Sequence, residues 1–165
     1  MESGNLVTYG TTGGNDWTLE TGAGGTLTIN GSGVAVGNFV NGGSVSGDAT
    51  LTVNVTFTPG SAAINKLTLA DGATVKATGT AQAVSTTFTA TGAYTIDASE
   101  ITKEQLDAAE NQRIGVLTVP TAQVGGTRSV SKPPVDGCRA KWVDNGGGTS
   151  TLYLAKPTGL MVIIR

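Results

Sequence analysis

Histidine is absent from this chain, and cysteine occurs once, at Cys138. The first absence removes every His-dependent triad and the imidazole-based zinc sites. The second removes any intramolecular disulfide and any cysteine metal cluster. Charge is scarce as well: Asp, Glu, Lys and Arg make up 13% of 165 residues, and aromatics 5%, where an ordinary domain carries about twice that charged share. The cations number 10 against 12 acids, for a formal charge of -2. No run of the chain is basic enough to release counterions from a phosphate backbone, which argues against nucleic acid as a partner. The nearest approach is residues 128–141, where Arg128, Lys132, Arg139 and Lys141 are diluted by Pro133, Pro134 and Asp136 and read as solvated loop charge. Long apolar runs are missing too. The longest near an end, residues 160–164, is too short to span a bilayer, so no membrane insertion is expected of this segment. The opening Met1-Glu2-Ser3-Gly4-Asn5 lacks the basic and apolar regions of a signal peptide, so an exported protein would have lost its signal or carry it upstream.

What is present is glycine, 25 residues, with threonine about as frequent, and 38% hydrophobic residues. Thr, Ser, Asn and backbone amides must therefore solubilise the surface, a composition that points to a β-rich extracellular or cell-surface protein. Period two dominates up to about residue 96. In residues 50–58, Leu51, Val53, Val55 and Phe57 fall on one face and Thr50, Thr52, Asn54, Thr56 and Thr58 on the other, as a strand covering a core on one side requires. Leu27 with Ile29 and Leu67 with Leu69 repeat the arrangement. Asn30-Gly31, Asn41-Gly42 and Asp71-Gly72 stand between strands as turn pairs that tolerate positive φ.

One segment departs from this pattern. Thr102 reads as a helix N-cap, Gln105 completes a capping box, and Ile101 packs on Leu106 as a hydrophobic staple. Two to three turns are expected, closing at Arg113, with the Ile101 and Leu106 side docked on the sheet because so short a helix is marginal alone. Residues 114–119 then form an apolar strand expected to be buried on both faces, and residues 121–137 a polar, Pro-containing excursion. Residues 139–145 and 149–155 flank Gly146-Gly147-Gly148 as a hairpin, in which Trp142 faces Leu152 or Tyr153. The organisation is a single domain: solenoid rungs over 1–98, a short helix and buried strand over 99–120, and a loop, hairpin and C-terminal capping strand over 121–165. Clusters every eight or so to twelve residues fit a β-solenoid, with an antiparallel β-sandwich as the alternative.

Residues 94–102, the Trp142-Val143-Asp144-Asn145-Gly146 stretch and the ending Leu152-Tyr153-Leu154 to residues 160–164 together resemble the C-terminal regions of autotransporter-like, β-helical bacterial surface proteins. The chain is too short for an outer-membrane barrel and finishes at Arg165 instead of an aromatic residue, so either the likeness is to the passenger portion only or the tail over residues 160–165 serves another anchoring or assembly route. The likeness implies a right-handed parallel β-helix outside the cell, with adhesive or structural roles and no shared catalytic residues.

Candidate chemistry is thin, and no enzyme is expected. A glycosidase-type acid pair would draw on Asp16, Glu20, Asp48, Asp71, Asp97, Glu100 and Asp144, but no two share a strand face at useful spacing, and turn chemistry accounts for them. Calcium is the one cofactor to weigh, and Gly13-Gly14-Asn15-Asp16 occurs once, without the acidic repeats of a calcium-binding solenoid. Gly22-Ala23-Gly24-Gly25 is followed by neither Lys nor a helix, so it is no phosphate loop. Trp17, Trp142, Tyr9, Tyr94 and Tyr153 are candidates for a sugar-stacking platform, with Trp142 and Tyr153 as the possible glycan contacts. Thr26/Thr28, Thr50/Thr52, Thr56/Thr58, Thr87/Thr89 and Thr149/Thr151 have the local form of an ice-binding array but no constant spacing. The resulting expectation is a structural or adhesive element whose partners are other surface repeats, a second copy or glycans. A carbohydrate-binding module and an ice-binding protein are the alternatives.

Overall fold

The computed structural model describes residues 18–157, together with the backbone of β1 (Leu6–Tyr9). Tyr9, Asp16, Trp17 and the strand expected over residues 160–164 lie outside the residues whose side chains are described.

The chain winds through three faces as a parallel β-solenoid. The first face stacks β2 (Thr18–Thr21), the later parts of β4 (Val34–Asn41) and β6 (Leu51–Thr58), then β8 (Thr74–Lys76), β10 (Ala93–Asp97) and β12 (Thr127–Ser131). The second stacks β3 (Thr26–Thr28), β5 (Ser44–Ser46), the start of β7 (Ile64–Leu69), the start of β9 (Gln82–Ala90) and β11 (Arg113–Pro120). The third takes the early parts of β4 and β6 and the later parts of β7 and β9. These pairings are all parallel, which sets aside the sandwich alternative.

Each face turns alternate residues of its strands inward, so the core is a set of ladders. On the first face Leu19, Phe39, Phe57, Val75 and Ile96 lie in register and are buried, and the Phe39 and Phe57 rings stack at 6.1 Å and 13°. On the third, Val36, Val53 and Leu69 align. Burying each such side chain stabilises the fold by roughly 1.5–3 kcal/mol before the entropy of ordering it is counted. Successive rungs are offset by 16 residues at Leu51↔Leu67 and by 21 at Lys66↔Thr87. The variation is absorbed at the corners, which is why the sequence carries no strict repeat.

Four local expectations are corrected. Val55 is 37% exposed and not on the inward face with Leu51, Val53 and Phe57. β6 crosses a corner there: Leu51–Val53 pair with β7 on the third face, Thr56 and Phe57 with β8 on the first, and alternation is reset between them. β11 is not buried on both sides. A bulge between Gly115 and Leu117 places Val116 and Leu117 both in the core, while Gly115 and Thr118 keep an outer face. The segment read as a polar excursion contains β12, which pairs in parallel with β10 and adds a rung. The helix α1 (Lys103–Ala108) is shorter than expected, because the chain is extended at Ala109 and then takes positive φ at Asn111 (53°) and Gln112 (52°). It sits in the long step from Ala93 to its partner Thr127, with Leu106 and Ile101 buried in the solenoid core.

The second-face stack ends differently from the way it propagates. β14 (Thr149–Ala155) lies antiparallel on β11, with Leu117 opposite Leu152, and β13 (Arg139–Gly146) pairs with β14 as the outermost strand. The connecting turn takes positive φ at Gly146, Gly147 and Gly148, which only glycine adopts without strain at three consecutive positions. At the other end β1 lies antiparallel on β2.

Candidate functional site

Polar side chains on the outer faces stand in file because the inward ladders fix the register. On the first face Thr18, Asn38, Thr56, Thr74, Thr95 and Ser129 are successive partners, at the roughly 4.8 Å strand spacing. On the third, Thr52, Thr68 and Thr89 do the same. Hydroxyls bond directly between rungs, as in Thr26–Ser44 (2.9 Å), Thr28–Ser46 (3.2 Å) and Thr95–Ser129 (3.1 Å). The Thr-x-Thr pairs themselves are dispersed. Thr26/Thr28 lie on the second face, Thr56/Thr58 on the first, Thr50/Thr52 and Thr87/Thr89 on the third, and Thr149/Thr151 on the hairpin. Single files of threonine are assembled, and they are spread over different faces.

A second polar file runs inside the solenoid, and the residue pattern did not announce it. Asn41, 5% exposed, accepts from the Thr21 hydroxyl (3.2 Å) and donates to Gln82 Oε1 (2.7 Å) and to the Ala62 carbonyl (2.9 Å). Gln82, fully buried, accepts from the Gly60 amide (3.0 Å) and donates to Ala62 (2.7 Å). Asn41-Gly42 is therefore not a reversing pair. Gly42 is needed for close approach, since a Cβ there would sit 2.2 Å from the Thr21 carbonyl oxygen. The clue available in the sequence is weak: amide and hydroxyl side chains ending strands at the same corner of different rungs. Gln123 plays a related part, bonding the Phe88 amide and the Thr86 carbonyl as a neighbouring strand would.

The carboxylates serve turns and ion pairs. Asp71 accepts from the Ala93 amide (2.7 Å), Asp97 from Ser99 (3.0 Å) and Asp144 from Gly146 (2.8 Å), while Glu100 pairs with Lys76 (3.4 Å). No group of three potential metal ligands forms among the described residues. Burial acts to raise the Asp97 pKa, but the Ser99 amide and side chain and the Lys132 ammonium outweigh it and hold the carboxyl below its ordinary range. Thr102 and Gln105 make the reciprocal capping box. Cys138 is a free, buried thiol, its pKa pushed up by burial. No helix among the described residues is long and apolar enough to cross a membrane.

The two aromatics proposed as a glycan platform are separated. Trp142 stands opposite Leu152 and turns inward, its ring 6.1 Å from Phe88. Tyr153 stands opposite Lys141 on the outer face. Adjacent registers of an antiparallel pair point to opposite sides of the sheet, so a Trp142–Tyr153 stacking surface does not form. Buried Tyr94 has its pKa raised by that burial, with the Arg128 charge and the Trp142 indole acting in the other direction. On the outer side, Tyr153 carries the Arg113 guanidinium over its ring at 4.3 Å. There the sheet forms an open cavity of about 590 Å³ lined by Asn111, Arg113, Arg139, Lys141, Tyr153 and Lys156, among others. Residues distant in sequence thus meet in one basic groove that a linear search for charge runs misses.

No family model matches the chain, and no curated protein or solved structure matches it.

Proposed function

We propose that this chain is a non-catalytic structural or adhesive element of a bacterial surface or secreted β-solenoid protein. What carries this reading is the use made of the polar groups. Thr21, Asn41 and Gln82 tie rungs together inside, Asp71, Asp97 and Asp144 hold turns, and Gln123 completes a strand edge. Among the large apolar side chains described, only Val55 and Val124 are exposed, so cohesion is directed inward. The antiparallel strands on β2 and β11 fit a capping role, because an open parallel rung is a template for edge-to-edge association.

Removal of residues 139–165 tests the cap. It uncovers the β11 edge and the Leu117 side chain, and the expected outcome is concentration-dependent aggregation by light scattering. A soluble monomer with an unchanged β signal in circular dichroism would overturn the capping role.

A further inference from the structure

The basic groove on the outer face of the C-terminal hairpin is not explained by folding. Four of the ten cations in a chain of net charge -2 line it, and no carboxylate among the described residues does. Lys156 is bonded to Asp107 at 2.7 Å, whereas Arg113, Arg139 and Lys141 make no ion pair among the described residues. Like charges gathered this way repel one another and weaken the fold.

The geometry suits a planar anion. Arg113 and Arg139 both stand opposite Ala155, one on each neighbouring strand, so their Cα atoms are roughly 10 Å apart with only a methyl group between them. The Arg113 guanidinium carbon lies 4.3 Å from the centre of the Tyr153 ring, a contact made through the guanidinium's π-system, so that its N–H donors suit a carboxylate in bidentate fashion. Asn111 and Tyr153 add uncharged polar residues to the lining. A volume of about 590 Å³ is that of a small-ligand site. A nucleic acid would need a longer track of phosphate contacts, and one face of Tyr153, the aromatic ring among the described lining residues, is already covered. An acidic peptide adding as a strand along β13 would meet an edge whose Ala140 carbonyl already accepts from Arg128 Nε at 3.1 Å.

We propose that this groove binds the carboxylate of a uronic acid residue in an acidic polysaccharide, with Arg113 and Arg139 as its direct ligands and Lys141 and Lys156 as attracting charges. The proposal rests on the adhesive reading and names its target. The test titrates the full chain and the variants Arg113→Gln, Arg139→Lys and Lys66→Gln with polygalacturonate, neutral galactan, poly-L-glutamate and single-stranded DNA, with thermal unfolding confirming that each variant is folded. Salt-sensitive binding of polygalacturonate is expected, weakened roughly ten- to hundredfold by either arginine change and unaltered by Lys66→Gln, whose charge lies on the third face. Arg139→Lys separates the fork from the charge, because it keeps the charge and loses bidentate geometry. Equal binding of poly-L-glutamate or DNA, or polygalacturonate binding indifferent to both arginines, would overturn it. Retention on galactan alone overturns the groove and leaves adhesion standing, whereas retention on none of the polymers overturns both.

Discussion

At the scale of single residues, the most consequential side chains are polar ones in the interior. Asn41 satisfies partners on rungs to either side of its own, so its loss takes away the acceptor of the Thr21 O–H, whose oxygen still accepts from the Gly42 and Gly43 amides, and removes one bond each from Gln82 and Ala62. Leaving buried polar groups short of partners costs about 1–3 kcal/mol, more than a typical surface change. Asn41→Ala is therefore expected to lower stability by about 2–3 kcal/mol in a denaturant titration, against under about 0.5 kcal/mol for the exposed Ser61→Ala. Equal effects from the two would mean that the internal file is incidental to stability. Such residues were illegible beforehand because an Asn before a Gly signals a turn whenever only neighbours in sequence are known. Its true partners are 20 and 41 positions away.

At the scale of elements, local rules worked where the interaction is local. The capping box at Thr102 and Gln105 closes within four residues, and the Gly146–Gly148 hairpin followed from turn chemistry, which left Trp142 opposite Leu152 or Tyr153 where the structure has Leu152. Thr102→Ala removes the hydroxyl that accepts from the Gln105 amide at 3.2 Å. A loss of about 1 kcal/mol is expected, with hydrogen exchange of the Gln105 amide accelerating before that of the strands. An unchanged exchange rate there would show that Ile101 and Leu106 hold the helix without the cap. Local rules failed where a strand bends. Period two predicts Val55 inward, yet β6 serves two faces and the phase is lost between Val53 and Thr56. The Trp142–Tyr153 pair failed on register: Trp142 stands opposite Leu152, so Tyr153, one position along, points to the other side of the sheet.

At the scale of the whole molecule, few charges mean little response to pH except where a carboxyl is held. The hydrogen bonds from Lys103 and Lys156 lower the Asp107 pKa, and Asp97 is lowered despite its burial. Both favour the ionised form in the fold, so their contribution is complete at neutral pH and fades as pH falls below about 4, through the lowered folded values. The melting temperature should therefore drop on acidification, and the Asp97→Asn variant should drop less. An acid profile identical to the wild type would remove Asp97 from this account.

The amino-acid order alone established an all-β chain without histidine or disulfide chemistry, its glycine corners, its capped helix and its hairpin. Those depend on composition and on contacts a few residues long. Stacking decided the rest: which strand faces which side, how rungs of unequal length bring hydroxyls into file, and how Arg113, Arg139, Lys141 and Lys156 come to share one groove. Side-chain register between rungs is set by burying the inward ladders together, a cooperative fit among distant segments that no local pattern encodes.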